Sequence, residues 1–325
     1  MRTYNILKSF ILILCFSLSL ISCNDSEDTS ILKNDCLKRT LGPNLVGQKI
    51  EFAYAMAVPY HSGKILSAEV EASIAGASGT WLENNSYYTS ISGVDVPVLV
   101  GSPSVTNGAK TKVDFTVDTC AATLRYYYVI PEEARGKTVS FTFTAKASTG
   151  ETVSYKMGPY TIAQMAMAKN LTLTKANCYI SIGDMSIMNA DSAAKYPDKV
   201  DLVYIFRDYT AKGITFGHAF CAPATDPQYL PEITLPGGVN RDCKIRKEYG
   251  LDDNHLSGLQ YGIYIDDIDF TSLDLSSMPD YAINMKARGG LWVETQDGKY
   301  RAFIYVNSLK STSGGVIGMK RYTLK

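Results

Sequence analysis

The run Val139-Ser140-Phe141-Thr142-Phe143-Thr144-Ala145-Lys146 alternates apolar and polar residues without a break. A period of two puts every apolar side chain on one face of an extended strand, whereas a helix would scatter them around its surface. The same period recurs in Leu66, Ala68, Val70, Ala72 and Ile74, in Val94, Val96, Val98 and Val100, and in Val113, Phe115 and Val117. Each set predicts a strand with one buried and one solvated face. Turn residues separate them, at Ser92-Gly93, Asn107-Gly108, Arg135-Gly136 and Ser148-Thr149-Gly150-Glu151. The last of these predicts a hairpin between residues 141–146 and 152–157. Short strands at this spacing, with Pro131 opening one helical turn, predict an antiparallel β-sandwich over residues 41–162.

The second half, residues 163–325, starts from a linking segment, 165–170, and a new alternating strand from Leu171. Ser192 is placed to cap a short helix that Pro197 ends. In Val200-Asp201-Leu202-Val203-Tyr204-Ile205-Phe206 only Asp201 breaks the apolar run, which predicts a strand buried on both faces at the centre of a sheet. Asp297-Gly298 predicts a hairpin of 291–296 with 299–306, and 316–323 a final strand. Residues 222–257 are rich in Pro, Gly and Asp and have no clear period, so they read as loop and as the natural source of ligand contacts. The fold class is mainly β, a sandwich followed by an α+β or β-rich sandwich domain.

At the start of the chain, Arg2 and Lys8 precede an apolar run from Phe10 to Leu20. The run is short of the roughly 18–20 residues of a membrane helix and reads as a secretory signal. Its end, Leu20-Ile21-Ser22-Cys23, resembles the bacterial lipobox. That resemblance implies removal of residues 1–22 as a signal peptide and lipidation of Cys23, dual acylation being the level that anchors stably. Asn24-Asp25-Ser26-Glu27-Asp28 resembles the acidic signal behind the lipidated cysteine of Bacteroidetes lipoproteins, which implies display on the outer face of the outer membrane. The other reading of this acidic run is a solvated spacer in the periplasm. Residues 23–40 are expected to form a tether.

The stretch from Tyr126-Tyr127-Tyr128-Val129-Ile130-Pro131 to residues 158–162 resembles the immunoglobulin-like modules of Bacteroidetes surface lipoproteins. Residues 179–206, 218–223 and 292–305 resemble a second module of the same group. Together they make the chain similar to a two-domain Bacteroides-type surface lipoprotein family of unknown function, a resemblance that concerns fold and carries no ligand.

Composition excludes one class of partner. Of 32 Lys and Arg, Arg2 and Lys8 leave with residues 1–22, so 30 face 32 Asp and Glu, and nothing favours nucleic acid. Five cysteines remain once Cys15 is removed and Cys23 lipidated: Cys36, Cys120, Cys178, Cys221 and Cys243. Pairing of Cys36 with Cys120 or of Cys221 with Cys243 is open, as is packing of isolated buried thiols. No spacing of Cys and His suggests a zinc cluster, and no cofactor is expected.

Three groups carry the possible chemistry. Asp266, Asp267 and Asp269, with Asp252 and Asp253 before them, are a possible metal or acid–base cluster, against a reading as a solvated turn beside core residues. Cys221 with His218 or His255 is an imaginable dyad without a supporting motif, and His61 stands alone. Trp81, Tyr87, Tyr88 and Trp292 are possible ligand-binding platforms, with Glu83-Asn84-Asn85 nearby for hydroxyl groups, although tryptophan also serves as a core anchor. One tyrosine face of residues 126–128 is expected to meet solvent or a partner. Asp191-Ser192-Ala193 resembles the O-glycosylation pattern of Bacteroides envelope proteins, which makes Ser192 a possible glycan site.

The expected function is a non-catalytic binding lipoprotein of the outer membrane, held by its lipid anchor and taking a glycan or another surface protein. An adhesin or pilin-like subunit is the alternative, with Lys38-Arg39 as its one early processing site. A carbohydrate-active enzyme is the third reading.

Overall fold

The computed structural model describes residues 31–211, 214–259 and 261–325. The signal, Cys23 and the acidic run lie outside the described residues. The first domain holds strands β1 (Lys33–Lys38), β2 (Lys49–Ala57), β3 (Ile65–Ala72), β4 (Trp81–Leu82), β5 (Asn85–Thr89), β6 (Asp95–Leu99), β7 (Val105–Asn107), β8 (Lys110–Asp114), β9 (Ala121–Val129), β10 (Thr138–Ala147) and β11 (Thr152–Thr161). One sheet runs β1-β2-β9-β4 and the other β11-β10-β3-β8-β7. Their inner faces meet through Phe52, Tyr54, Tyr126, Tyr128, Phe141 and Phe143, all essentially inaccessible to solvent. Most of these rings meet edge-on or tilted, as with Tyr128 and Phe141 at 5.0 Å between centroids, while Phe52 and Tyr126 are stacked.

Several expectations are met by particular pairs. Phe141 faces Met157 and Lys146 faces Thr152 across the predicted hairpin, and Glu132–Ala134 forms the helical turn after Pro131. Others are corrected. The segment read as tether contributes β1, because Leu32 and Cys36 are buried in the core and the N–H groups of Ile31 and Leu32 donate to Glu151. Val94 and Val98 are exposed instead of buried, because β5 and β6 pair with each other alone and stand outside both main sheets.

The second domain is also built from two antiparallel sheets. Its elements are β12 (Ala166–Leu173), β13 (Asn177–Ser181), β14 (Ser186–Asn189), α1 (Ala190–Lys195), β15 (Leu202–Ala211), β16 (Ile214–Cys221), β17 (Cys243–Tyr249), α2 (Asn254–Ser257), α3 (Asp267–Ser272), β18 (Tyr281–Met285), β19 (Gly289–Thr295), β20 (Tyr300–Leu309) and β21 (Gly315–Thr323). The sheets run β12-β21-β20-β19-β17 and β14-β13-β15-β16-β18, so β15 is central, as its apolar run predicts. The stretch 222–257 is only partly loop, since β17 and α2 lie in it. The supposed link 165–170 is mostly strand β12, and Met165 is fully buried.

Behind the β12–β17 sheet, a second apolar cluster joins Leu256, Ile265, Phe270 and Leu275 to Trp292, Phe303 and Tyr305. Leu45, Ala163 and Met165 enter the same cluster, so the junction between the domains is packed against it. This sheet is therefore covered on both faces.

Candidate functional site

Sheet β1-β2-β9-β4 has an outer face of small residues. Core-facing Ile50, Phe52, Tyr54 and Met56 alternate along β2 with Ala53, Ala55 and Ala57, and across β9 Ala121, Thr123, Arg125 and Tyr127 continue that outer face. The β5–β6 hairpin folds over part of it. Thr123 N–H donates to Ser86 Oγ at 2.9 Å, and Arg125 Nη2 reaches Asp95 Oδ2 at 2.6 Å from a nearly buried position. The Arg125 guanidinium also lies 5.3 Å from the Tyr87 ring centroid. Tyr87 donates its hydroxyl to the buried carboxylate of Glu83. That hydrogen bond, and burial after it, push the Tyr87 hydroxyl pKa up to about 12.

The space between this hairpin and edge strand β1 is a cleft of about 490 Å³. Its floor is Ala55, Ala57 and Ala121, its wall Tyr87 and Tyr88, and its rim Lys33, Asn34 and Asp35. Tyr88 is 56% exposed. Apolar floor, aromatic wall and a few polar groups are the ingredients of a small-molecule site.

Of the four aromatic platforms read from sequence, the structure brings Tyr87 and Tyr88 together. Trp81 lies on the same outer face but outside the cleft, stacked on Tyr127 at 5.1 Å and 15°. Tyr126 and Tyr128 are core, so Tyr127 is the residue of that triplet turned outward. Trp292 is corrected outright: it is 3% exposed and packed edge-on against Phe270 at 5.4 Å.

The carboxylates read as a metal cluster are committed to the fold. Asp266 caps α3 by accepting from Ile268 N–H at 2.8 Å, and Asp269 accepts from Asp266 N–H, also at 2.8 Å. Asp267 accepts from Gln164 N–H at 2.6 Å and Met165 N–H at 3.0 Å. Asp252 pairs with Arg288 and accepts from Tyr305 Oη at 2.6 Å, and the guanidinium first, then the hydroxyl, hold its carboxyl below the usual range. Among the described residues no group of three or more His, Cys, Asp or Glu is arranged to hold a metal ion.

The imagined dyad does not assemble. Burial pushes the Cys221 thiol pKa up to about 12, and His218 Nδ1 lies 2.8 Å from Tyr204 Oη. His255 packs against Tyr264. The five thiols are all free, so neither possible disulfide forms. Asn189, not Ser192, caps α1, its Oδ1 accepting the Ser192 N–H at 2.9 Å, which leaves the Ser192 hydroxyl uncommitted to the cap.

Three contributors to the cleft escaped the sequence. Lys33, Asn34 and Asp35 sit in the stretch read as tether, where the signal was the pair Leu32 and Cys36, spaced for one face of a strand. Beneath it, Arg125 is a buried charge whose partner, Asp95, lies 30 positions away, and nothing local announces it.

Two family models match the chain, a domain of unknown function (DUF4466) over residues 29–162 and another (DUF8576) over 163–324. A crystal structure of a DUF4466 family protein from Parabacteroides merdae is similar over 91% of this chain and 99% of its own, with 47% identity and a TM-score of 0.86. A cohesin module from a Clostridium perfringens family 33 glycoside hydrolase covers 40% of this chain and 96% of its own at 15% identity, with a TM-score of 0.24. The Actinomyces fimbrial adhesin FimA covers 59% of this chain and 87% of its own at 10% identity and a TM-score of 0.28. Both distant likenesses are too slight to argue from. No curated protein matches the chain.

Proposed function

Because the chain belongs to the DUF4466 family, a label that carries no activity, we propose a function from the geometry: a non-catalytic binding protein that holds a glycan in the cleft beside Tyr88. The observation that carries this reading is the exposed Tyr88 ring standing over an alanine floor, with Lys33, Asn34 and Asp35 at the rim. The C–H face of a pyranose ring stacks on an aromatic plane, and rim amide, carboxylate and ammonium groups bond its hydroxyls. Small floor residues leave room for the ring. Arg125 and Glu83 act beneath the site, holding the hairpin that carries both tyrosines.

The test is a glycan-array screen of the mature chain, followed by titration of the best sugar. Tyr88→Ala is expected to weaken that sugar at least about tenfold, the scale of one lost stacking contact of ~1.5 kcal/mol, with no change in Tm. Undiminished binding by Tyr88→Ala would sink the reading.

The reading includes an address: a lipid anchor at Cys23 and display at the surface of the outer membrane, supported by the lipobox-like Leu20-Ile21-Ser22-Cys23 and the acidic run behind it. Cys23→Ala is expected to move the protein from the membrane to the soluble fraction. Replacing Asp25, Glu27 and Asp28 by neutral residues is expected to keep it lipidated but shield it from protease added to whole cells.

A further inference from the structure

The central sheet of the second domain is split. β13 and β15 are neighbours, yet they register at two pairs, Tyr179 with Val203 and Ile180 with Leu202. β15 meanwhile pairs with β16 out to Ala211 and Ile214. From Tyr204 onward, the β13-side edge of β15 has no strand partner among the described residues. β13 starts at Asn177, but its pairing with β14 shifts register between Asn177 and Tyr179, and on the other side neither Asn177 nor Cys178 pairs with β15. Asn177 N–H instead donates to Thr174 Oγ1 at 2.9 Å, closing the turn at which the chain comes in from β12.

A cleft of about 500 Å³ lies along that split and touches residues 203–207 of β15 consecutively. Side chains alternate between the faces of a strand, so a cavity on one face would meet every second residue. Contact with five in succession is what a cleft running along the strand edge produces. Unpaired N–H and C=O groups on such an edge are a template for another strand.

The charge in the cleft indicates what that strand carries. Lys175 and Arg207 line it, with Glu232 as the one acidic lining residue. Arg207 gives Nη2 to Pro231 O at 2.9 Å and Nη1 to Phe206 O at 3.3 Å, while its Nε has no partner. Among the described residues neither cation forms an ion pair. A guanidinium with unspent donors beside an ammonium suits a carboxylate.

We propose that this cleft takes an extended peptide as an added strand along residues 204–207 of β15, with a carboxylate of that peptide set against Arg207 and Lys175. The carboxylate is either the peptide C-terminus or an Asp or Glu side chain. The cleft belongs to the second domain and is independent of the glycan reading.

The test incubates the mature chain with pools of random octapeptides as free acids, as amides, and as acids N-methylated at alternate positions. Retained peptides are read by mass spectrometry. Free acids are expected to be enriched about tenfold over amides if the C-terminus is used, as one charge-assisted hydrogen bond provides; enrichment of Asp or Glu within retained amides identifies the side chain instead. The N-methylated pool is expected to be lost. Binding should slow amide exchange at residues 204–207 and alkylation of the cleft thiol Cys178, and Lys175→Gln and Arg207→Gln should each abolish the carboxylate preference. Arg207 also holds Pro231, so the exposed turn residue Lys175 supplies the variant that leaves the fold untouched. Retention of no pool, indifference to N-methylation, or binding without protection at 204–207 overturns the proposal.

Discussion

Lys320 Nζ lies 2.6 Å from Asp253 Oδ2, and both side chains are wholly buried. The ammonium also donates to Ile265 O at 2.8 Å, and the carboxylate accepts from Leu256 N–H at 3.0 Å and Ile265 N–H at 2.7 Å. A strand of the sheet, the cap of α2 and the segment before α3 are thus tied at one point. Removing either partner strands the other charge in the core. Lys320→Met is expected to cost about 3–5 kcal/mol, read as a fall in the urea midpoint at unchanged slope, and Asp253→Ala at least as much because it also uncaps α2.

His255 sits beside that pair and makes stability depend on pH. Burial pushes its imidazole down to about 4, the positive charges of Lys320 and Lys169 act the same way, and Asp253 opposes them. The folded state therefore holds His255 neutral, while the unfolded chain takes up a proton near pH 6.5. Between those values the unfolded state binds more protons, so stability is full above pH 6.5 and falls as pH drops toward 4. The loss from this group is about 2–3 kcal/mol. Urea midpoints at pH 7 and 4.5 should show it, and His255→Gln should flatten that part of the slope.

How far the chain could be read follows from where each signal lives. Val139 to Lys146 and the turn at 148–151 announce β10–β11 because both the period and the turn are local. Leu202 to Ile205 announce a central strand because both faces of that strand are apolar. The valines from 94 to 100 carry the same local signal and mislead, and Pro97 was the warning: proline cannot donate to a ladder and is confined to edges. It sits in β6, opposite Tyr87, in a two-stranded hairpin that leaves the sandwich. The cleft was half legible, through Tyr87 and Tyr88. Its floor and latch were not, since alanines announce nothing and Arg125 meets Asp95 30 positions away.

The two tryptophans separate core from surface in one experiment. Trp292 lies against Phe270, Phe303 and the rest of the second apolar cluster, and its indole N–H finds no acceptor there. Trp292→Ala is expected to cost about 3–5 kcal/mol through the cavity it leaves, while Trp292→Phe, which loses no hydrogen bond, should cost under about 2 kcal/mol. Trp81→Ala removes a half-exposed ring stacked on Tyr127 and should cost about 1 kcal/mol. In Trp81→Phe the remaining emission should be blue-shifted and shielded from acrylamide; in Trp292→Phe it should be red-shifted and readily quenched.

Asp267 holds the chain where it passes from one domain to the other. Its two carboxylate oxygens take the N–H groups of Gln164 and Met165, and Arg135 of the first domain donates to the carbonyls of the same two residues, at 3.0 Å and 2.9 Å. The short segment is thus clamped on both its donors and its acceptors, with Met165 buried below it. Asp267→Asn keeps the size but removes the charge and turns one oxygen into a donor facing an N–H. Hydrogen bonds to a charged group contribute about 1.5–3 kcal/mol each, and the pair is partly exposed, so a loss of about 2 kcal/mol is expected. The readout that isolates the junction is limited proteolysis: cleavage at residues 163–165 should accelerate in Asp267→Asn while the two fragments stay folded, and an unchanged cleavage rate there would show that burial of Met165 alone holds the segment.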